Sequence, residues 1–359
     1  MLPYWLVFFI PAWMTFTRFR PQHLSNRKHW PNSWCAMFLL LVLIIGFRKE
    51  VGGDWENYLY YLEEASGSLS EALVLNDPGY MFLNWISNQI HGEIYFVNVA
   101  CAMLFTWGLI TFCIMQPRPW LALVVSVPYL ITVVAMGYTR QGVAIGLSMV
   151  ALVRLSQDRW KWFAFWVIIA ATFHKSAVVL MPLAMMSGTK NKFLLVFWAV
   201  VMSLIVYFLF LASAMDSLIN SYVGTEYSSD GAGIRIGMNA IPAILFLYFR
   251  DRFKRVGLSV RDNKLWTWMS AFALFFVVAL MLSPSSTAVD RLALYWIPVQ
   301  LFVFSNFPDA VGITKKKKHL IVSGIVGYSA TILFVWLCFG SFSYLWIPYK
   351  FFPWEWLWS

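Results

Sequence analysis

The chain has 359 residues, of which 60% are apolar and only 12% are charged, and its formal net charge is +10. A soluble domain usually has about 45–50% apolar and about 25% charged residues, so this composition excludes an ordinary soluble protein and predicts an integral membrane protein. We assign the positive charge to short loops between membrane spans, as topology requires, and do not expect nucleic acid as a partner.

Twelve apolar segments predict an all-α polytopic membrane fold with about 12 transmembrane or re-entrant helices in one domain, residues 1–359. The segments lie at residues 2–17, 33–47, 94–115, 119–136, 138–154, 160–173, 176–187, 193–213, 237–249, 264–282, 289–306 and 319–340. The first segment has no basic leader and no small-residue cleavage site, which predicts a retained span and not a signal peptide.

The charges divide unevenly between the two faces that these segments define. One face holds 20 of the 27 Lys and Arg residues, and the other holds 13 of the 17 carboxylates. The positive-inside rule makes the basic face cytoplasmic. A few isolated cations then lie near the outer ends of spans, and they are Arg48, Arg140, Lys175, Arg235 and Arg291. Because a charge is costly near hydrocarbon, these cations are candidates for function.

One alternative is a single long span from Trp160 to Met186, since about 20 apolar residues suffice to cross a bilayer. That choice inverts everything downstream and leaves only 11 cations inside against 16 outside. The topology rule therefore favours two short helices that meet at His174 and Lys175. Each is shorter than a hydrocarbon core of about 30 Å, so the His-Lys pair is expected below the outer surface.

The longest segment between spans, residues 48–93, is predicted to be extracytoplasmic and to contain amphipathic helices. In the first helix Asp54 is the expected N-cap, although it is also a candidate base or sugar-hydroxyl acceptor. Its apolar stripe is expected to contain Trp55, Tyr58, Leu59 and Leu62.

A second amphipathic helix is predicted to begin at Asn76-Asp77-Pro78-Gly79. Asp77 is the expected cap, and Pro78 the first helical residue. The apolar face of this helix is expected to contain Tyr80, Leu83, Ile86 and Ile90.

Arg140 follows Gly137-Tyr138-Thr139 at the outer start of a span and precedes the run from Gln141 to Gly146, which is rich in small residues. Small residues let helices approach closely, which would fix the arginine against its neighbours. An interfacial arginine that merely reaches water is the plainer interpretation. The helix N-terminus favours anion binding instead, and a phosphate suits that position.

His174 and Lys175 are two titratable groups within an apolar hairpin, which favours a functional role. A hydrogen-bonded polar turn is the alternative interpretation. His174 could act as general base for a sugar hydroxyl, and Lys175 could balance a diphosphate.

Asp290 and Arg291 repeat the pattern of a cation at the outer end of a span, for which helix capping and topology are the alternative explanation. Arg48 is a less specific flanking cation. Arg235 falls in a glycine-rich loop, within residues 214–236, that is a candidate lid.

Four motifs, taken in order, resemble the EpsG-like group of bacterial exopolysaccharide and O-antigen polymerases. They are Gly52-Gly53-Asp54-Trp55-Glu56-Asn57-Tyr58, Asp77-Pro78-Gly79-Tyr80, Arg140-Gln141-Gly142-Val143-Ala144 and Phe173-His174-Lys175-Ser176-Ala177. Gly53 departs from the Thr or Ser that is frequent in the family, and the aromatic tail from Trp346 to Ser359 matches nothing known in it.

The resemblance implies a Wzy-type polymerase of the bacterial inner membrane, related in architecture to C-type glycosyltransferases. Such an enzyme would join polyprenyl diphosphate-linked oligosaccharides on the periplasmic side, with membrane lipid and a chain-length regulator as candidate partners. His174 or Asp54 would be the base, and an inverting displacement is the expected mechanism. The diphosphate ligands would be Arg140, Arg291, Lys175, Arg48 and Arg235, and the sugar-binding rings would be Trp55, Tyr58 and Tyr138.

No Asp-x-Asp motif and no His/Cys cluster has metal-binding spacing, so we expect an enzyme without a metal or other cofactor. A flippase for the same lipid-linked oligosaccharides is the main alternative. It would need polar residues along both halves of its path, and the cytoplasmic half of this chain has few.

Overall fold

The computed structural model describes residues 1–21, 29–184, 231–283 and 286–354, and these residues are largely helical. The α-helices up to residue 173 are α1 (Leu2–Thr17), α2 (Asn32–Gly46), α3 (Trp55–Glu64), α4 (Leu69–Leu75), α5 (Pro78–Ile90), α6 (Glu93–Ile114), α7 (Pro119–Ser126), α8 (Thr139–Ser156) and α9 (Trp160–Phe173). The later ones are α10 (Ala232–Tyr248), α11 (Arg250–Arg255), α12 (Val260–Leu282), α13 (Ser286–Ala293), α14 (Pro298–Val311) and α15 (Lys315–Phe339).

Shorter elements complete the described part of the chain. A π-helix, Val127–Ala135, continues α7, and 3₁₀-helices lie at Lys175–Leu180, Leu294–Trp296 and Ser343–Leu345. Two short strands, β1 (Arg48–Lys49) and β2 (Lys350–Phe351), pair in antiparallel fashion.

Most predicted apolar segments correspond to helices with similar bounds, and α9 ends at Phe173, as the two-helix interpretation requires. A continuous α-helix from Trp160 to Met186 is not present, because the chain turns into a 3₁₀-helix at Lys175. The predicted segment 193–213 lies outside the described residues. So does most of the candidate lid, and its described end is helical from Ala232 onward.

Three helices in the described part of the chain are long and apolar enough to cross a membrane, namely α6, α12 and α15. The pair Ser286–Trp296 and Pro298–Val311, bent by 43°, would add a fourth span. Five shorter apolar helices lie at Leu2–Thr17, Asn32–Gly46, Pro119–Ala135, Trp160–Phe173 and Ala232–Tyr248. The chain is therefore a helical membrane protein, whereas the number of about 12 spans stays a prediction.

The described residues fall into two compact units. The first contains Met1–Val153, Phe165–Lys175 and Val322–Ser359, and the second contains Arg154–Ala164 and Ser176–Ile321, each within the described ranges. The expectation of one membrane domain stays a prediction.

The core of the first unit is formed by α7 and its π-helical continuation, in which every residue is buried. An apolar helix that is covered on all sides belongs at the centre of a bundle. The side-chain hydroxyl of Thr132 also donates to the carbonyl of Val127 at 2.8 Å, within the π-helical turn.

The small residues of α8 allow the close approach that the sequence predicts. A Cβ atom on Gly146 would lie 2.8 Å from the Cα of Phe105, and one on Gly108 would lie 2.1 Å from the carbonyl oxygen of Gly146. The backbones of α6 and α8 therefore touch where both helices carry glycine, and this contact fixes the position of α8.

The C-terminal segment after α15 closes the first unit, which the sequence did not predict. The indole of Trp346 donates to the carbonyl of Thr132 at 2.7 Å, and Tyr4 donates to the carbonyl of Trp346 at 2.6 Å. Tyr349 donates to the carbonyl of Ile44 at 2.6 Å, and Phe352 stacks on Tyr95 with ring centroids 3.7 Å apart. The tail is thus bound to segments more than 200 residues away in sequence.

The helices of residues 48–93 form where predicted, but their buried faces match the predicted ones only in part. In α3, Trp55 and Tyr58 are buried, whereas Leu59 is exposed. In α5 the buried residues are Tyr80, Met81, Asn84 and Ser87, whereas Ile90 is exposed. The faces differ because α3 and α5 pack against protein, so neighbouring helices decide which side is covered.

Helix α4 lies between α3 and α5 and was not predicted. A capping box between Ser68 and Glu71 begins it.

Gly52 has a backbone that only glycine adopts readily, since its φ is +107°. A Cβ atom there would lie 2.3 Å from the carbonyl oxygen of Met136.

We expect Gly52→Ala to lower the free energy of unfolding by about 2 kcal/mol or more. Gly53→Ala is the matched control, because its Cβ would meet only the Leu345 side chain at 3.7 Å. Thermal unfolding in detergent measures both, and equal midpoints would contradict this account.

The second unit is built around α10, which packs against α12 and α14. Trp266 stacks on Phe302 with ring centroids 4.0 Å apart. Buried amides also link its helices, because Gln300 donates to Asn239 at 2.7 Å and Asn239 donates to the carbonyl of Ala293 at 2.9 Å. These bonds satisfy polar groups that would otherwise be costly inside an apolar core.

Candidate functional site

Residues of all four sequence motifs come together within the first unit. The rings of Tyr58 and Tyr80 lie 5.6 Å apart, which joins the first motif to the second. Arg140 of the third motif forms an ion pair with Asp77 of the second, with Nη1 and Oδ2 separated by 3.0 Å. The backbone N–H of Lys175, in the fourth motif, also donates to the Asp77 carboxylate. Segments that are far apart in sequence thus form one polar cluster, which we call the Arg140 cluster.

Arg140 occupies the first turn of α8 and makes three side-chain hydrogen bonds. Its Nη1 donates to Asn76 Oδ1 at 2.8 Å and to Asp77 Oδ2 at 3.0 Å, and its Nη2 donates to the Tyr61 hydroxyl at 3.4 Å. The guanidinium carbon also lies 4.7 Å from the centroid of the Tyr61 ring. None of these three bonds uses Nε, and the side chain remains 21% exposed. The guanidinium is therefore held firmly and still reaches the surface.

Asp77 is only 7% exposed and lies between the two cationic residues of the cluster. Burial raises the pKa of its carboxyl group, while the charges of Arg140 and Lys175 and the hydrogen bonds from them act in the opposite direction. The sequence identified Asp77 only as a helix cap. Its position before Pro78 gave no sign of a contact with Arg140.

His174 and Lys175 lie at the turn between α9 and the following 3₁₀-helix. The backbone N–H of His174 donates to the carbonyl of Ala170 at 3.0 Å and so extends the last turn of α9. The His174 side chain is partly exposed, and Lys175 is exposed. Both side chains can therefore be reached from outside the first unit, as a base and a phosphate ligand would have to be.

Gly79 explains how this turn comes to lie beside Asp77. A Cβ atom on Gly79 would lie 2.5 Å from Thr172 Oγ1 and 3.1 Å from a ring carbon of Phe173. The start of α5 can therefore touch the end of α9 only because residue 79 has no side chain. This contact places the second and fourth motifs side by side.

Arg48, a predicted diphosphate ligand, is fully buried, with no exposed surface. Its guanidinium donates to the carbonyls of Ile45 and Val51 at 2.6 and 3.2 Å and to Thr139 Oγ1 at 2.7 Å. With all three nitrogens bonded to protein and none exposed, Arg48 has a structural role, anchoring the start of α8 next to Arg140. Its role as a diphosphate ligand stays a prediction.

The predicted sugar-binding rings differ in their accessibility. Trp55 is 7% exposed and Tyr58 is 2% exposed, so neither offers an open face to a sugar in this structure. Tyr138 is partly exposed.

Asp54, a candidate base, occupies the N-cap position of α3 without a capping bond from its side chain. It accepts a long hydrogen bond of 3.4 Å from the Tyr58 hydroxyl.

The remaining predicted cations belong to the second unit. Arg235 lies in the first turn of α10 and not in a loop, and it forms a bidentate ion pair with Asp290. Nε and Nη2 of Arg235 each lie 2.8 Å from a carboxylate oxygen of Asp290. Arg291, in the last turn of α13, is partly exposed. A shared role of these cations with the Arg140 cluster stays a prediction.

Among the described residues, no group of three or more His, Cys, Asp or Glu side chains is placed so that it could hold a metal ion. In these parts of the chain the available charge for binding an anion comes from arginine and lysine.

Comparison with known proteins gives one match. The model of the EpsG family matches residues 32–351, a range that contains all four motifs and every residue of the Arg140 cluster. No curated protein and no solved structure matches the chain significantly.

Proposed function

The chain belongs to the EpsG family of polysaccharide polymerase-type membrane proteins, and on that premise we propose that it is a glycosyltransferase that polymerises oligosaccharide repeat units. The proposed substrates are polyprenyl diphosphate-linked oligosaccharides, and the product is an O-antigen or another exopolysaccharide. The reaction takes place at the periplasmic side of a bacterial inner membrane. The distribution of Lys and Arg among the loops supports this orientation.

The observation that carries the proposal is the Arg140 cluster. Arg140 begins a helix, whose N-terminus favours an anion, and it is partly exposed although two acceptors hold its Nη1. Lys175 is adjacent, because its own backbone binds the same carboxylate that binds Arg140. A diphosphate at this position would meet the Nε of Arg140, the ammonium group of Lys175 and the helix terminus together.

The reaction requires a base and a means of stabilising the leaving group. An acceptor hydroxyl attacks the anomeric carbon of the donor sugar, and the bond between that carbon and the diphosphate oxygen breaks. The electron pair leaves with the diphosphate, and the hydroxyl proton goes to the base, for which His174 is our first candidate and Asp54 the second. Cations that are already in position stabilise the charge that develops on the leaving oxygen. A single displacement of this kind inverts the anomeric configuration.

The proposed enzyme needs no metal, because Arg140 and Lys175 provide positive charge where a metal-dependent transferase would use a cation. The alternative of a flippase remains, since it too would bind a lipid diphosphate. The two functions differ in their products, which makes them separable in one experiment.

The test uses the full-length protein in liposomes with a synthetic polyprenyl diphosphate-linked repeat unit and a chelator. We expect a ladder of products that differ by one repeat unit, and we expect it to persist in the chelator. Loss of the ladder in chelator would contradict metal independence. Passage of unjoined oligosaccharide across the bilayer, without any ladder, would refute the polymerase and favour the flippase.

A further inference from the structure

Asp77 is the group through which two elements of the Arg140 cluster are connected. One carboxylate oxygen lies 3.0 Å from Arg140 Nη1, and the carboxylate also accepts the backbone N–H of Lys175. A single buried side chain thus contacts both the cation at the start of α8 and the turn that carries His174.

Asp77 makes these contacts at the expense of a local bond. It occupies the N-cap position of α5, where an aspartate normally accepts a backbone N–H from the first turn of its own helix. The Asp77 side chain makes no such bond. The helix thus forgoes a usual stabilising contact while the carboxylate binds Arg140 and Lys175 instead.

Burial of this carboxylate adds a further cost. Its side chain is 7% exposed, and burying a charge destabilises a protein unless partners compensate. The two partners here are both in motifs that the proposed function uses. Buried ion pairs contribute little net stability, and a defined arrangement of the groups around them is one reason to retain such a pair.

We propose that Asp77 is a positioning residue that holds the Arg140 guanidinium in register with the His174-Lys175 turn. It does so without touching substrate. Asn76 assists by binding the same Nη1 at 2.8 Å, which stops the guanidinium from rotating about its contact with Asp77. This inference rests on the proposed function, because register between Arg140 and His174 matters only if both act on one substrate.

The test is a double-mutant cycle on the full chain in liposomes, with synthetic lipid-linked repeat units as the probe. Asp77→Asn keeps the shape of the side chain but removes its charge, and we expect it to lower kcat about tenfold. Arg140→Ala is expected to lower kcat about a hundredfold. If Asp77 acts through Arg140, the double variant will be no slower than Arg140→Ala alone.

A second variant separates positioning from stability. Asp77→Ser can still cap α5 but is too short to reach Arg140, so we expect its thermal unfolding to match that of wild type while its kcat falls about tenfold. This variant also decides the question if Asp77→Asn fails to fold.

The matched control is Asp309→Asn in the second unit, which breaks the ion pair with Lys318, in which the nitrogen and oxygen lie 2.8 Å apart. That control should leave kcat unchanged. When it is combined with Arg140→Ala, the effects of the two substitutions on kcat should multiply independently.

The outcomes of this test differ from those of a failed polymerase. If the wild-type protein makes no polymer, the proposed function is wrong. If wild type is active and the Asp77 variants keep its kcat per folded molecule, the function stands and the positioning role is refuted. Multiplying effects of Asp77→Asn and Arg140→Ala would refute it equally.

Discussion

Replacing Arg140 by alanine is expected to lower the rate of polymer formation about a hundredfold. The expected loss matches what is typical when one preorganised donor to a developing negative charge is removed, about 3 kcal/mol of transition-state stabilisation. The guanidinium is preorganised here, because Asn76 and Asp77 bind its Nη1 and Tyr61 binds its Nη2. Steady-state kinetics with a synthetic lipid-linked repeat unit measures the effect. The loss should fall mainly on kcat if Arg140 binds the departing diphosphate more tightly than the intact substrate.

Arg140→Lys sharpens this prediction. Lysine keeps the charge but has a single nitrogen, so it cannot hold Asp77 and a phosphate oxygen at once as a guanidinium can. We expect the rate of Arg140→Lys to lie between the rates of wild type and Arg140→Ala. An equal loss in both variants would show that geometry, and not charge alone, is required.

Two controls separate catalysis from folding. Removal of Arg140 leaves the Asp77 carboxylate buried without its nearest cation, which destabilises the fold. Rates must therefore be given per folded molecule. Arg154→Ala is the matched variant, since Arg154 lies in the last turn of the same helix. It should retain the wild-type rate. If Arg140→Ala also retained it, the Arg140 cluster would not be the diphosphate site.

The helical framework could be predicted from sequence because its signals are local. Apolar runs define the helices, and Asn76-Asp77-Pro78 marks the start of α5 correctly. The ion pair of Asp77 with Arg140 could not be predicted, because the two residues are 63 positions apart in sequence. A short polar residue before a proline looks like a cap whether or not its side chain is used as one.

Arg48 and the C-terminal tail illustrate the same limit. The sequence presents Arg48 as an ordinary cation after an apolar span, yet its guanidinium is buried and bonded to Thr139, 91 residues away. The tail matched no family pattern, yet Trp346 is held by bonds to Thr132 and Tyr4. Whether a charge or an aromatic ring is buried depends on which distant segments pack against it, and a local pattern does not contain that information.

The predicted apolar stripe of α3 was only partly right, for a related reason. Periodicity correctly indicated an amphipathic helix and placed Trp55 and Tyr58 on its apolar stripe, whereas sugar binding by their rings was a separate expectation. In the structure these rings are covered by protein, with Trp55 near Tyr95 and Tyr58 near Tyr80. An amphipathic pattern shows that one face is covered and does not show by what.

His174→Ala is expected to lower kcat by about a hundredfold to ten-thousandfold, with little change in KM. General base catalysis contributes about that much, and it acts in the chemical step and not in ground-state binding. The position supports this role, since His174 is partly exposed at the turn next to Asp77 and Arg140. Single-turnover kinetics with one lipid-linked donor and one acceptor isolates the chemical step.

Asp54→Asn is the comparison that decides between the two candidate bases, because it preserves size and hydrogen bonding while removing the ability to accept a proton at neutral pH. Asp54 already accepts a hydrogen bond from Tyr58, and the ring of Tyr58 is buried, so asparagine should keep that contact. We therefore expect Asp54→Asn to change the rate of the chemical step only a few-fold. A severe loss in Asp54→Asn with a mild one in His174→Ala would transfer the role of base to Asp54. Mild losses in both would exclude each as the base and require a proton acceptor outside the Arg140 cluster.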